Sequence, residues 1–220
     1  MIATTGRVQE TQGGVKILTH RPSEARLSDM VTVIWHDKNT ISPEQRRKAY
    51  ALMGEIAAYS GMSPEEVKTI EKRRYWKQYT QELNDELFSL SDCTMTEARG
   101  YINHLVDLIL EFDIPTRQPL YENCDDLNHY TYACLMRKKC AVCGQHAELH
   151  HVDAIGMGYD RREKPQLGNA VISLCREHHT EIHQKGNAAF LNLYHLEPVA
   201  LTEAAAKTYN LTKLARRETT

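Results

Sequence analysis

The chain has 220 residues, of which 41 % are hydrophobic and 25 % are charged, and its formal net charge is −2. This balance is typical of a soluble globular protein with one large domain or two smaller ones. No apolar run approaches the roughly 18 residues of a membrane span, and the N-terminal sequence MIATTGRVQETQGG lacks the apolar segment of a secretion signal. We therefore expect a cytoplasmic protein without a membrane partner.

Charge and cysteine content differ between the two parts of the chain. Lys and Arg outnumber Asp and Glu in residues 131–220, whereas acidic residues are in excess in residues 1–130. The C-terminal part is therefore the better candidate for contact with phosphate.

Six cysteines in a cytoplasmic chain do not indicate a disulfide framework. Three of them lie among histidines at metal-ligand spacing, and the others are expected to be small buried side chains: Cys93, Cys124 and Cys134.

Two strands are predicted near the N-terminus. The run DMVTVIWHDKN (29–39) is rich in β-branched residues and is bounded by Asp and Asn, which is typical of a strand. The earlier run GGVKILTH (13–20) is its expected partner.

Three helices are predicted after these strands. Ser42 is the expected N-cap of the first, because Pro follows it and Gln stands three residues later in a capping-box pattern. Gly61 marks the end of that helix. Ser63, again followed by Pro, begins the second helix, and apolar spacing predicts a third over 96–112, which ends before Pro115.

These elements predict an α+β fold. Residues 1–130 are expected to form a domain of strands followed by helices, with a DNA-binding or dimerising role, so a homodimer is one expected assembly. The segment 114–130 mixes prolines with acidic and polar residues and is the best boundary candidate. A second domain is expected over 131–196, and residues 197–220 are expected to form a helix or a tail.

Two pairs of residues have the spacing of zinc ligands. Each pair is separated by two residues, and a C-x2-C knuckle places two thiolates on one tight turn. The intervening segment must fold back to bring the two pairs together. The pairs predict one Cys3His zinc site made of Cys140, Cys143, Cys175 and His178.

Four further histidines indicate a second metal site. His179 and His183 are four residues apart, so on a helix their rings lie on the same face. His150 and His151 are adjacent, and adjacent side chains on a strand point to opposite faces. One of that pair should therefore join the helical histidines around a divalent ion, and the other should stay available as a base. A Lewis acid with a nearby imidazole base suits phosphodiester hydrolysis.

Three runs together resemble an HNH (ββα-metal) nuclease domain with zinc knuckles: CAVCGQ (140–145), ELHHVDAIG (148–156) and LGNAVISLCREHHTEIHQKG (167–186). The resemblance implies that His151 is the general base and that Asn169 braces the hairpin loop and so orients this base. It also implies a zinc-stabilised ββα-metal domain, with His178 in place of a more usual cysteine. The catalytic ion would be held by His150, His179 and His183.

The front half adds a second resemblance. The segments 42–61 and 88–115 are similar to those of a group of phage-borne HNH nucleases, whose front half resembles the lambdoid NinB (Orf) recombination proteins that bind single-stranded DNA. This implies a metal-dependent endonuclease that hydrolyses phosphodiester bonds in DNA during phage recombination or processing, in the host cytoplasm. The expected cofactors are a structural zinc and a catalytic Mg²⁺, Mn²⁺, Ni²⁺ or Zn²⁺. The expected partner is duplex, single-stranded or branched DNA.

Two alternatives remain open at this point. The first is a catalytically silent, zinc-containing single-stranded DNA-binding recombination mediator. The second is a structural zinc-ribbon module that neither binds nor cuts DNA. The retained histidines and Asn169 favour the nuclease over both.

Short basic runs are candidates for binding the phosphate backbone without reading bases. The alternative for each is a solvated charge, and aromatic residues beside 72–74 on a helix are more often part of a core than of a platform for single strands. The candidates are Arg137, Lys138, Lys139, Arg161 and Arg162 around the proposed site, and Lys72, Arg73 and Arg74 in the front half.

Overall fold

The computed structural model describes residues 6–11, 14–19, 40–79, 89–152 and 167–211. The chain separates into two compact units, residues 1–36 and residues 37–220.

The first unit contains an antiparallel pair of strands, β1 (Gly6–Thr11) and β2 (Gly14–Thr19), with Gly6 opposite Thr19. The strand predicted over 13–20 is therefore present, and its partner within the described residues is β1, which was not predicted. The strand predicted over 29–39 lies outside the described residues.

The second unit begins with helix α1 (Pro43–Ser60), whose two ends follow the predicted signals. The Ser42 hydroxyl accepts a hydrogen bond from the Gln45 amide at 3.0 Å, and the Gln45 side chain accepts one from the Ser42 amide at 3.2 Å. Gly61 closes the helix in the left-handed region, with φ of 74°. The predicted capping box and the predicted end are both confirmed.

Helices α2 (Pro64–Tyr79) and α3 (Met95–Glu111) pack against α1 and complete the front core. A second capping box, between Thr94 and Glu97, begins α3. The third predicted helix therefore lies within one residue of its expected bounds. The largest fully buried side chains of this region are Leu52, Met53, Tyr101, Ile102 and Leu105.

Helix α4 (Leu127–Met136) follows a short 3₁₀ turn at Leu120–Asn123 and contacts α3. One hydrophobic cluster includes residues on both sides of position 130, among them Leu105 and Phe190. The domain division at residue 130 stays a prediction.

The C-terminal part of the second unit contains a three-stranded antiparallel sheet in the order β3 (Glu148–His151), β4 (Ala170–Leu174), β5 (Val199–Ala200). Strand β4 is apolar except for Ser173 and is buried over its last four residues. It leads directly into α5 (Arg176–Lys185), so β3, β4 and α5 form a ββα unit.

Two helices complete the described fold, α6 (Asn187–Tyr194) and α7 (Glu203–Thr208). The predicted α+β class is confirmed. None of the described helices has the length and apolar character needed to cross a membrane.

Candidate metal centres and active site

The four predicted zinc ligands converge. One ligand atom from each residue lies within 4.8 Å of the others. The Cys175 sulfur is 3.1 Å from His178 Nδ1, and the sulfurs of Cys143 and Cys175 are 3.6 Å apart. The set is made of Cys140, Cys143, Cys175 and His178.

Local backbone geometry explains this convergence. The first pair lies on a tight turn, in which the Gly144 amide donates to the Cys140 carbonyl at 2.8 Å and Gly144 adopts φ of 72°. Cys175 is the N-cap residue of α5, so His178 follows within the first helical turn. The Ala141 amide donates to the Ser173 carbonyl at 3.0 Å, which ties the turn to the end of β4.

The pKa values of the three thiols depend on burial and on their neighbours. Burial raises the pKa of Cys140 and raises that of Cys143 to about 12. Burial also acts to raise the pKa of Cys175, but hydrogen bonds with the backbone and ring of His178 and with the thiols of Cys143 and Cys140 together outweigh it and bring this pKa to about 7. Three thiolates so close together need a positive charge, and three sulfurs with one imidazole are ligands that suit zinc.

Three of the four histidines that indicate the second metal site in the sequence form a cluster. Ligand atoms of His150, His179 and His183 all lie within 4.8 Å of one another, and the ring centroids are 4.9 to 5.0 Å apart. His150 is 4 % exposed, whereas the His183 side of the cluster faces solvent. Three imidazoles with an open side can hold one divalent transition-metal ion and leave positions for other ligands.

The ββα unit produces this arrangement. His179 and His183 lie one turn apart on α5, and His150 lies on β3 opposite Ile172 of β4. Because α5 starts at the zinc ligand Cys175, the same helix carries ligands of both clusters. A change in the zinc site is therefore expected to shift the histidine cluster.

Two residues outside the predicted site support the histidines. Glu148 accepts a hydrogen bond from His179 Nδ1 at 3.1 Å, and Arg176 lies 3.7 Å from the same carboxylate. Asn187 lies 3.2 Å from His150 Nε2 and donates to the Val152 carbonyl at 2.6 Å. Burial lowers the pKa of His150, with the neighbouring imidazoles adding to the effect, so this ring favours the neutral form that binds metals.

His151 and Asn169 lie on or beside the two strands of the ββα unit: His151 follows His150 on β3, and Asn169 directly precedes β4. His151 is half-buried at the end of β3. It does not belong to either cluster of converging ligand atoms found among the described residues. Asn169 is half-buried just before β4, and its carbonyl accepts from the Leu201 amide at 2.9 Å. The loop that Asn169 is predicted to brace, residues 153–166, lies outside the described residues. The roles of both residues stay predictions.

The basic run before the zinc turn borders a cavity of about 610 Å³. Arg137 pairs with Asp107 at 3.3 Å, and Lys139 pairs with Asp113. The Lys138 ammonium lies 5.5 Å from the centre of the Tyr209 ring. Gly144, Gln145 and His146 also line this cavity, and Glu111 and Asp113 line it as well. Arg161 and Arg162 lie outside the described residues.

The basic residues of α2 differ in their exposure. Lys72 is 7 % exposed, and burial lowers its pKa. Arg73 is exposed, and Arg74 is exposed with a 2.9 Å ion pair to Glu71. The surface of α2 therefore presents Arg73 and Arg74, while Lys72 faces the core. Nucleic-acid binding by any of the three stays a prediction.

A family model described as "Putative HNHc nuclease" matches residues 18–212. No curated protein and no solved structure matches the chain.

Proposed function

The chain belongs to this family of HNH nucleases, and on that premise we propose that it is a metal-dependent endonuclease that hydrolyses phosphodiester bonds in DNA. The observation that carries the proposal is the convergence of three imidazoles on a ββα unit, with a fourth histidine next to them on the same strand. Neither a purely structural zinc module nor a passive binding protein needs this second cluster. A setting in phage DNA recombination or processing stays a prediction.

The cluster of His150, His179 and His183 would hold the catalytic ion. A bound divalent cation would supply Lewis-acid stabilisation of negative charge on the phosphate and on the leaving 3′ oxygen. Three nitrogen ligands suit Mn²⁺, Ni²⁺ or Zn²⁺ better than Mg²⁺, which prefers oxygen ligands. Neutral imidazoles are required, and the buried environment of His150 favours that form.

His151 is the proposed general base. Its neutral ring would accept a proton from the water molecule that attacks phosphorus, and the bond to the 3′ oxygen would break. An imidazole has an ordinary pKa of about 6.5, which suits this task near neutral pH. Asn169 would hold the hairpin that carries the base. The products would be a 5′ phosphate and a 3′ hydroxyl.

The cysteine cluster is proposed to hold a structural zinc. Its four ligands leave no position for substrate, which is the property of a closed structural site. Cys140 and Cys175 are almost fully buried, so the site lies within the hydrophobic cluster of the second unit. The zinc would fix the start of α5 and thereby the spacing of the two helical histidines.

The cavity next to the zinc turn is the proposed contact for the phosphate backbone. Lys138 is the best candidate there, because its ammonium has no carboxylate partner among the described residues, whereas Arg137 and Lys139 pair with Asp107 and Asp113. If a DNA phosphate displaced the carboxylates of Asp107 and Asp113, Arg137 and Lys139 would bind the phosphate as well. A Lys138→Ala variant is expected to weaken DNA binding and to reduce its salt dependence by about one ion.

A nuclease assay on plasmid and on single-stranded DNA tests the proposed function. We expect cleavage when Mn²⁺, Ni²⁺ or Zn²⁺ is added and none in excess EDTA, with 5′-phosphate ends on the products. Binding of DNA without cleavage under every metal would refute the nuclease and favour the recombination mediator. Absence of both binding and cleavage would favour a structural zinc module.

A further inference from the structure

Asn187 connects two points on the strand that carries the proposed base. It is the first residue of α6 and follows Gly186, whose φ of 84° turns the chain between α5 and α6. Its half-buried side chain reaches back to β3, where it contacts the ring of His150 and the carbonyl of Val152. These two residues flank His151 on either side.

The two contacts together determine the orientation of the amide group. The Val152 carbonyl can only accept a hydrogen bond, so the group that faces it at 2.6 Å must be the Asn187 NH₂. The other end, Oδ1, then faces His150 Nε2 at 3.2 Å and can only accept. His150 must therefore carry its proton on Nε2.

This tautomer has a consequence for metal binding. A neutral imidazole with a proton on Nε2 has its lone pair on Nδ1. With this tautomer, Nδ1 is the nitrogen whose lone pair could bind a cation shared with His179 and His183, which each have a ligand atom within 4.8 Å of one on His150. Protein partners that fix the tautomer and the ring orientation of a metal ligand commonly raise metal affinity ten- to a hundredfold.

The second contact acts on the backbone after His151. The Val152 carbonyl accepts from Asn187, and the Val152 amide donates to the Ala170 carbonyl of β4 at 2.8 Å. Both backbone polar groups of Val152, the residue that follows His151, are thus held. The position of the His151 side chain depends on Val152, because the contacts of Val152 fix the end of the strand.

We propose that Asn187 is a positioning residue that sets the tautomer of His150 through one hydrogen bond and the backbone next to His151 through the other. The effect on the tautomer of His150 does not depend on whether the protein cleaves DNA. The effect on His151 rests on the proposed nuclease function.

Two variants separate the two hydrogen bonds. Asn187→Ala removes both. Asn187→Asp keeps an oxygen that accepts from His150 Nε2 but removes the donor to Val152, because a carboxylate cannot donate. Asn192→Ala is the matched control, since Asn192 is an exposed residue of the same helix. Zinc content and circular dichroism establish that each variant is folded.

The first readout is the tautomer, measured by ¹⁵N NMR of the imidazole nitrogens in zinc-loaded protein without a second metal. We expect a proton on His150 Nε2 in the wild type, in Asn187→Asp and in Asn192→Ala. Asn187→Ala should give a mixture of tautomers. A wild-type proton on Nδ1, or an unchanged tautomer in Asn187→Ala, would overturn the proposal.

The second readout is the affinity for Ni²⁺, measured by calorimetry on the same zinc-loaded protein. Asn187→Ala should weaken binding about ten- to a hundredfold, whereas Asn187→Asp and Asn192→Ala should bind as tightly as the wild type or more tightly. Equal affinity of Asn187→Ala and wild type would overturn the role toward the metal.

The third readout is cleavage at saturating metal. Asn187→Asp should lower kcat with little change in KM, because the Val152 carbonyl next to His151 is no longer held. An unchanged kcat in this variant would overturn the role toward His151. If the wild type cuts no DNA, the nuclease proposal fails, while the tautomer and Ni²⁺ results still decide the role toward His150.

Discussion

Replacement of Cys143 by Ala gives the sharpest test of the structural zinc. Cys143 is the one exposed cysteine among the four zinc ligands, whereas Cys140 and Cys175 are 0 % and 4 % exposed. Removal of its sulfur therefore opens little buried volume, and without metal the change in stability should stay within about 0.5 kcal/mol. Any larger effect reports the metal.

The magnitude follows from the number of ligands. Structural zinc contributes about 10–16 kcal/mol of apparent binding free energy in small zinc domains, and an equal share among four ligands is about 3 kcal/mol. For a domain of this size, about 3 kcal/mol lowers the Tm by roughly 6–12 °C. The loss should be present with zinc bound and absent in EDTA.

Differential scanning calorimetry of wild type and Cys143→Ala, each with stoichiometric zinc and with EDTA, measures this difference. Cys93→Ala is the control, because Cys93 is buried in the front core and should lose the same stability under both conditions. Equal Tm values of wild type and Cys143→Ala with zinc would refute the site. An equally large loss in EDTA would show that the effect comes from packing and not from metal.

Three further changes test the fold around the site. Gly100→Ala should destabilise the protein by about 1 kcal/mol in urea denaturation, because the added methyl group meets the Tyr75 hydroxyl and the overpacking cost of about 1–3 kcal/mol exceeds the gain in helix propensity of about 1 kcal/mol. In a Tyr75→Phe background, where the next ring atom is 3.2 Å from the added carbon, the same substitution should cost less stability. An equal loss in both backgrounds would contradict the contact. Ser42→Ala should cost about 0.5–2 kcal/mol in the same assay, since it removes the capping hydrogen bond of α1, and no loss would contradict the cap. Burial lowers the pKa of Lys72, so between that lowered pKa and about 10.4 the unfolded state binds more protons at this residue than the folded state does. The free energy of unfolding of the wild type, relative to that of Lys72→Met, should therefore rise with pH in this window. A difference in unfolding free energy that does not change with pH would contradict the burial of this ammonium.

Much of the local structure could be predicted because its causes are local in sequence. The capping box at Ser42 and the helix end at Gly61 depend on residues within one turn, and both lie where they were predicted. The ligand groups could be predicted for the same reason. The spacing of Cys175 and His178, or of two histidines four apart on one helix, determines which side chains share a face.

Other features depend on contacts that spacing does not encode. Asn187 lies 37 residues from His150 in sequence, and an Asn after Gly at the start of a helix is typical of an ordinary turn. Its role is visible only when α6 is folded against β3. Glu148 is likewise an unremarkable charged residue until α5 brings His179 to within 3.1 Å.

The burial of Lys72 is a third example. The run EKRRYWKQY has both basic and aromatic residues, and its composition favours a core-facing helix over a nucleic-acid platform without deciding which residues face the core. Which residues face outward depends on how α2 rotates against α1 and α3. In the folded chain Tyr75 and Lys72 turn inward, and Arg73 and Arg74 turn outward.

The central claim is that three histidines hold the catalytic ion while His151 acts as the base without holding it. The most direct measurement compares DNA cleavage at saturating Mn²⁺ with Mn²⁺ affinity in wild type, His151→Ala and His195→Asn, a control at an exposed histidine whose left-handed φ of 50° suits Asn. We predict that His151→Ala lowers kcat about 10²- to 10⁴-fold while Mn²⁺ affinity stays within about threefold of the wild type, and that His195→Asn changes neither. Cleavage by His151→Ala at the wild-type rate, or loss of Mn²⁺ binding in that variant, would contradict the assignment.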